Sequence, residues 1–106
     1  MEPDEIIVVL VTAPPEEAGR IARELVTERA CACVNVIADI RSIYRWEGEV
    51  QDDSESLLVL KTTRGGFDTL RGAVERLHPY DVPEILALPT AAANDAYAKW
   101  VREMIA

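Results

Sequence analysis

Two long extended runs in the middle of the chain limit what it can fold into. Residues 33–46 are typical of extended backbone, Glu47-Gly48 supplies a turn, and a second extended run continues to Thr63. At about 3.3 Å per residue, the fourteen residues of the first run span about 46 Å. A compact chain of this size has a radius of gyration of about 13 Å and a width of roughly 33 Å. The hairpin must therefore bend or project beyond the domain.

Asp39 is the predicted bend of this hairpin, because aspartate is a poor strand former. Beyond the bend lies an arm of roughly Ile40 to Glu55, on which Ser42, Tyr44 and Trp46 share one face. Exposed aromatic rings on a projecting hairpin promote aggregation unless a partner chain covers them. We therefore predict Tyr44 and Trp46 as oligomerisation residues. The alternative is that the arm folds back and covers its own core.

Apolar patterns outside the hairpin predict the remaining elements. Ile6 to Val11 is a buried strand, Pro14-Pro15 opens a helix, a second helix lies between Gly65-Gly66 and Pro79, and Ile85 to Leu88 is a short strand. A last helix, capped by Asn94, has an apolar stripe of Tyr97, Trp100, Val101, Met104 and Ile105. The order βαββαβ plus a terminal helix predicts an α+β, ferredoxin-like sandwich, with residues 1–106 as one domain.

Charge and composition exclude several classes of partner. Nineteen acidic against eleven basic residues give a net charge of −8, and the basic residues are scattered, so nucleic acid and anionic membranes are not expected partners. No run has the length or flanking charge of a signal or membrane span, which predicts a cytoplasmic protein unless a presequence has been removed. The acidic run of residues 47–55 lacks the ligand spacing of an EF-hand and is interpreted as a solvated hairpin tip.

A short segment between two prolines concentrates ionisable side chains. His78, Tyr80, Asp81 and Glu84 lie within residues 77–84, where Pro79 and Pro83 stiffen the backbone. A rigid segment of this kind can hold a small cation or polar ligand at little ordering cost. Alternatively, His78 only caps the preceding helix, where the helix dipole favours such a residue.

The two cysteines, Cys31 and Cys33, are too few for a disulfide framework and lack the second pair needed for a zinc site. If this segment is extended, both sulfurs lie on one face and suit a soft ion such as Cu(I). The alternative is that they are small buried residues, and this is favoured for Cys31.

Several motifs carry a resemblance to a known family. They are Ala32-Cys33-Val34-Asn35, Ser42-Ile43-Tyr44-Arg45-Trp46-Glu47-Gly48, Lys61-Thr62-Thr63, the His78-Pro79-Tyr80 segment and Ile85-Leu86-Ala87-Leu88-Pro89. In this order, from about Val8 to Trp100, they resemble the CutA divalent-cation tolerance family. The resemblance implies a homotrimer built through the hairpin, with Lys61, Tyr80 and Glu84 lining a cleft between subunits, and a response to divalent metal ions.

The resemblance implies at most an incomplete metal site. Copper ligands attributed to the family include a cysteine near the end of the first strand and a histidine pair before the proline, but Val11 and Leu77 stand at two of these positions. We therefore predict no obligatory cofactor and weak binding of copper or another divalent metal by His78, aided by Cys33 or Glu84.

Two alternative functions stay open beside a metal-response role. One is a PII-like signalling trimer that binds small anionic effectors, and the other is a purely structural or partner-binding trimer. An enzyme is not predicted, since the chain has a single histidine and no recognisable catalytic triad.

Overall fold

The structure, a computed structural model, describes residues 2–106 and contains four strands and three α-helices over that range. The elements are β1 (Ile6–Ala13), α1 (Pro15–Thr27), β2 (Cys33–Trp46), β3 (Glu49–Thr63), α2 (Phe67–Leu77), β4 (Leu86–Pro89) and α3 (Asp95–Met104), with a 3-10 turn at Arg64–Gly66. The strands form one antiparallel sheet in the order β2-β3-β1-β4. The predicted ferredoxin-like fold with a terminal helix is confirmed.

Element boundaries differ from the prediction by one or two residues. The first strand continues to Ala13 because Thr12 and Ala13 still pair with Leu57 and Ser56 of β3. The last strand runs from Leu86 to Pro89 instead of starting at Ile85. The Asn94 side chain caps α3 as predicted, accepting hydrogen bonds from the backbone N–H groups of Ala96 and Tyr97.

The main core lies between one face of the sheet and the helices α1 and α2. Alternate residues of β1 and β3 point into it, and apolar positions of the two helices cover them. Its fully buried members include Val9, Val11, Ile21, Leu25, Leu58, Leu60, Leu70 and Val74. Because both helices lie on this side, the opposite face depends on α3 alone for cover.

The helix α3 covers only one end of that opposite face. Ala98 and Val101 are buried there against Ile6 and Ala32. The remainder is an apolar surface that we call the open sheet face, made of Val8, Leu10, Ile37, Leu57, Val59, Leu86 and Leu88, which alternation and strand register place together. None of the described helices has the length and apolarity needed to cross a membrane.

The predicted apolar stripe of α3 is wrong in part. Val101 is buried and Ile105 is partly buried, but Tyr97, Trp100 and Met104 are exposed. The helix approaches the sheet through the small Ala98, so its buried face is narrow. Tyr97 and Trp100 instead pack against each other, with ring centroids 5.7 Å apart.

The hairpin of β2 and β3 bends and projects as predicted. Its register shifts between Ile37 and Ile40, and Asp39 at the shift has a φ of 60°. The longest dimension of the molecule is 44 Å, against the roughly 33 Å expected of a compact chain. Residues 40–54 are exposed or half-buried, and Trp46 remains 52% exposed. The arm therefore does not fold back over the core of its own chain.

The tip of the arm offers a stabilising substitution. Glu47 has a φ of 51° and Gly48 a φ of 81°, the paired left-handed conformations of a type I′ turn, for which Asn-Gly is preferred. We expect Glu47→Asn to raise the free energy of unfolding by about 0.5 kcal/mol, because asparagine adopts this conformation more readily than glutamate. Urea unfolding measures the change, with Glu49→Asn in β3 as control. Equal or lower stability of Glu47→Asn would contradict the turn assignment.

Candidate functional site

A cavity of about 570 Å³ begins where the base of the arm meets the segment that follows α2, and it extends along the arm as far as Trp46. Its size falls within the range of ordinary small-molecule sites. The residues that line it are Thr12, Ser42, Ile43, Tyr44, Trp46, Glu55, Tyr80, Asp81, Val82 and Glu84. We call this the arm-base cavity. It contains four of the predicted site residues, Tyr44, Trp46, Tyr80 and Glu84.

Local sequence explains how these walls form. Alternation along β2 directs Ser42, Tyr44 and Trp46 to one side of the arm. On the other side, α2 ends at Leu77, and Pro79 and Pro83 keep the following residues out of helical backbone. The aromatic face of the arm and the proline-flanked segment of ionisable side chains, identified separately from the sequence, therefore face each other across one cavity.

Glu55 is the buried acid of the cavity. It is only 5% exposed, and its Oε2 accepts a 2.9 Å hydrogen bond from the hydroxyl of Tyr80. Among residues 2–106 no lysine, arginine or histidine nitrogen lies within ion-pair distance of it. The interpretation of residues 47–55 as a solvated tip is therefore wrong for Glu55, which lies at the base of the arm, opposite Ile40 in the strand register.

The tyrosines of the cavity are held in their protonated form. Burial raises the pKa of Tyr80 well above its ordinary value, and the hydrogen bond to Glu55 and the charge of that carboxylate raise it further. Tyr44 donates a 2.5 Å hydrogen bond to Asp53, and this bond raises the pKa of Tyr44. Both hydroxyls are thus fixed donors to carboxylates at neutral pH.

His78 lies beside the cavity but is committed to the protein itself. It is 7% exposed and forms the C-cap of α2. Its Nε2 donates to the carbonyl of Thr12 at 2.7 Å, and its Nδ1 accepts from the backbone N–H of Tyr80 at 3.1 Å. Both ring nitrogens are occupied, so binding of a metal by His78 requires one of these bonds to break.

Lys61 and Cys33 lie next to each other in the sheet, outside the lining of the arm-base cavity. They are register partners in the sheet, Lys61 donates to the side-chain oxygen of Asn35, and the Cys33 sulfur is 3.4 Å from the hydroxyl of Tyr97. Lys61 lies four positions along β3 from Leu57, the residue opposite Thr12, a distance of about 13 Å. Within one protomer, the structure does not bring Lys61 to Tyr80 and Glu84, nor Cys33 to His78.

The two cysteines do not share a strand face, contrary to the prediction made for an extended segment. Cys31 precedes β2 and belongs to the main core, where burial raises the pKa of its thiol to about 12. Cys33 begins β2 and is half-buried beside α3. Across residues 2–106, no group of three or more histidine, cysteine, aspartate and glutamate side chains is arranged to hold a metal ion.

The fold and motifs find matches among known proteins. The model of the CutA1 divalent ion tolerance protein family matches residues 7–104. The chain belongs to the CutA1 family. This family is one of divalent ion tolerance proteins and is not a known enzyme family.

Relatives of the CutA1 family resemble this chain over most of its length. The divalent-cation tolerance protein CutA of Thermus thermophilus is 55% identical over 97 residues, covering 91% of this chain and 94% of that protein. The solved structure of divalent cation tolerance protein Cut A1 from the same organism gives a TM-score of 0.91 at 51% identity, covering 95% and 99% of the two chains. A PII-like protein CutA from Nostoc sp. PCC 7120, solved in apo form, gives 0.90 at 35% identity, covering 94% and 97%.

Proposed function

We propose that this CutA1 protein is a non-enzymatic homotrimer that contributes to tolerance of divalent metal ions, copper among them, through weak or accessory metal binding. The observation that carries the proposal is the family match over residues 7–104, together with 55% identity to a divalent-cation tolerance protein. Three features of the protomer support it: the open sheet face, the projecting arm, and the hydrogen bonding and separation of the candidate metal donors.

The open sheet face supports self-assembly. An apolar sheet surface that no helix of residues 2–106 covers is a natural interface. The projecting arm carries Tyr44 and Trp46, rings of the kind that anchor interfaces. In a trimer, a neighbouring subunit would bring its own Lys61 to the Tyr80 and Glu84 of this one, which is the arrangement that an intersubunit cleft requires.

The hydrogen bonds and the separation of the candidate metal ligands support weak metal binding and not a preformed site. His78 is engaged at both nitrogens, and Cys33 and Glu84 are not grouped with it. A divalent ion must therefore displace an existing hydrogen bond or use donors from two subunits, and either requirement lowers affinity.

A PII-like sensing role for anionic effectors is the second candidate, favoured by the likeness to the Nostoc protein. The lining that one protomer contributes to the arm-base cavity argues against it, since that lining contains acids and offers an anionic effector no basic side chain of its own. Phosphate groups bind where basic side chains or helix N-termini point at them.

Copper titration by calorimetry tests the metal proposal. We expect weak saturable binding by the wild type that is reduced in His78→Gln, because glutamine can keep the hydrogen bond to Thr12 but lacks the imidazole. Glu24→Gln, on the exposed side of α1, is the control for a change in charge. Equal isotherms for wild type and His78→Gln would remove His78 as a ligand, and tight stoichiometric binding would contradict the proposal of weak binding.

A further inference from the structure

We propose that Lys61 of a neighbouring subunit is the counter-ion of the buried Glu55 carboxylate. This pair deepens the homotrimer of the proposed function, on which it rests, by naming the charges that join one subunit to the next. Within residues 2–106, neither Glu55 nor Lys61 belongs to an ion pair. The partner is a second copy of this chain, and each site is incomplete without it.

Glu55 requires a positive charge from outside its own protomer. Its 5% exposure is set by contacts within the chain, so its burial persists in any assembly. The Tyr80 hydroxyl donates a 2.9 Å hydrogen bond to its Oε2, but a phenol carries no positive charge. A buried carboxylate is costly unless it is both hydrogen-bonded and paired with a cation. The protomer supplies the hydrogen bond, and a second subunit has to supply the cation.

Lys61 is the complementary group. Its Nζ donates to the neutral side-chain oxygen of Asn35. The lysine is half-buried at the margin of the open sheet face, opposite Val8 in the register. A subunit that covers the open sheet face removes water from this ammonium group. An ammonium group that loses water needs an anion in exchange, and Asn35 offers it only a neutral oxygen.

The positions of the two groups fit a closed ring of subunits. Alternation along β3 places Glu55 and Lys61 on the side of the open sheet face, together with Leu57. Glu55 and Lys61 lie six positions apart on the strand, a distance of about 20 Å, so they cannot pair within one chain. Subunits in a closed three-membered ring contact one another head to tail, which requires two different, complementary patches on each subunit. An acid at one end of this sheet side and an ammonium group at the other end meet that requirement.

Charge reversal tests the pair, with assembly measured by sedimentation velocity over a range of protein concentrations. We expect Glu55→Lys and Lys61→Glu each to weaken assembly at least about a hundredfold, since each places like charges together in a buried contact. We expect the double variant to assemble within about tenfold of wild type. Its charges are exchanged and not lost, the Tyr80 hydroxyl can accept from an ammonium group, and the Asn35 amide can turn to donate to a carboxylate.

A second charge swap is the control. Arg23→Glu combined with Glu24→Lys lies on the exposed side of α1 and should leave assembly unchanged. Circular dichroism reports whether each variant is folded. If Glu55→Lys does not fold, a double-mutant cycle of Glu55→Gln and Lys61→Met takes its place, because glutamine keeps the shape of the acid. We expect the two substitutions in that cycle to be coupled by at least about tenfold.

Three results would overturn the pair. One is a double reversal variant that stays dissociated, or additive effects in the cycle. Another is recovery of Lys61→Glu by Glu84→Lys in place of Glu55→Lys, which would assign the partner of Lys61 to Glu84. The third is a monomeric wild type, which would refute the homotrimer together with the pair. A stable trimer without coupling between Glu55 and Lys61 would refute the pair alone, so the two failures are distinguished.

Discussion

Replacing Leu88 by lysine is expected to dissociate the assembly into folded protomers. Leu88 lies on the open sheet face, opposite Val8 in the register, and is 46% exposed in the protomer. A charge there costs little in an isolated chain, because lysine is well tolerated on an edge strand such as β4. In a trimer that covers this face, the same charge is buried without a partner, which costs on the order of several kcal/mol.

Val26→Lys is the matched control for this experiment. Val26 is 41% exposed, close to the value for Leu88, but it lies on α1 at the other side of the sheet. Sedimentation velocity should show smaller particles for Leu88→Lys alone, with the circular dichroism of both variants unchanged. An intact trimer of Leu88→Lys would remove the open sheet face from the interface, and a monomeric wild type would refute the trimer itself.

Trp46→Ala should weaken assembly by about 2 to 4 kcal/mol, the range of an aromatic interface anchor. The ring is 52% exposed in the protomer and stands near the tip of an arm that projects from the core. Its truncation therefore removes little packing within the chain, and any large effect must come from contacts with a neighbouring subunit. The concentration dependence of sedimentation measures the change.

Val50→Ala serves as control for the loss of arm surface. Val50 is 65% exposed and pairs with Arg45, so alternation places it on the face of the arm opposite Trp46. We expect its dissociation constant to stay within about threefold of wild type, a difference below 1 kcal/mol. Equal weakening by both substitutions would show that the arm contributes area without a specific anchor, and an unaltered trimer of Trp46→Ala would refute the anchor role.

Much of the fold was predictable because its signals are local. The bend at Asp39, the turn at Glu47-Gly48 and the cap at Asn94 each depend on the backbone preferences of one or two residues. The helices α1 and α2 follow from an apolar period that matches a single buried face. The burial predicted for the apolar stripe of α3 was wrong in part. Periodicity shows which residues share a helix face, but it does not show how much of that face the neighbouring element covers.

Individual residues of the candidate site were predictable from the sequence, but their arrangement in one cavity was not. Tyr44, Trp46, Tyr80 and Glu84 were identified from the sequence, yet their meeting in one cavity depends on the way the arm bends toward the segment after α2. Glu55 was missed because it stands in an acidic run that is otherwise exposed. Glu55 lies at the base of the arm, opposite Ile40 and therefore next to the predicted bend at Asp39. That position was the signal that could have identified it.

The sequence by itself determined the order of strands and helices, the length and bend of the arm, and membership of the CutA1 family, because these follow from short-range preferences and ordered motifs. The tertiary structure decided which polar groups meet. His78 bonds to Thr12 across 66 residues and Tyr80 to Glu55 across 25, while strand register keeps Lys61 beside Asn35 and away from Glu84. Such contacts depend on packing between distant segments, which no local pattern of residues specifies.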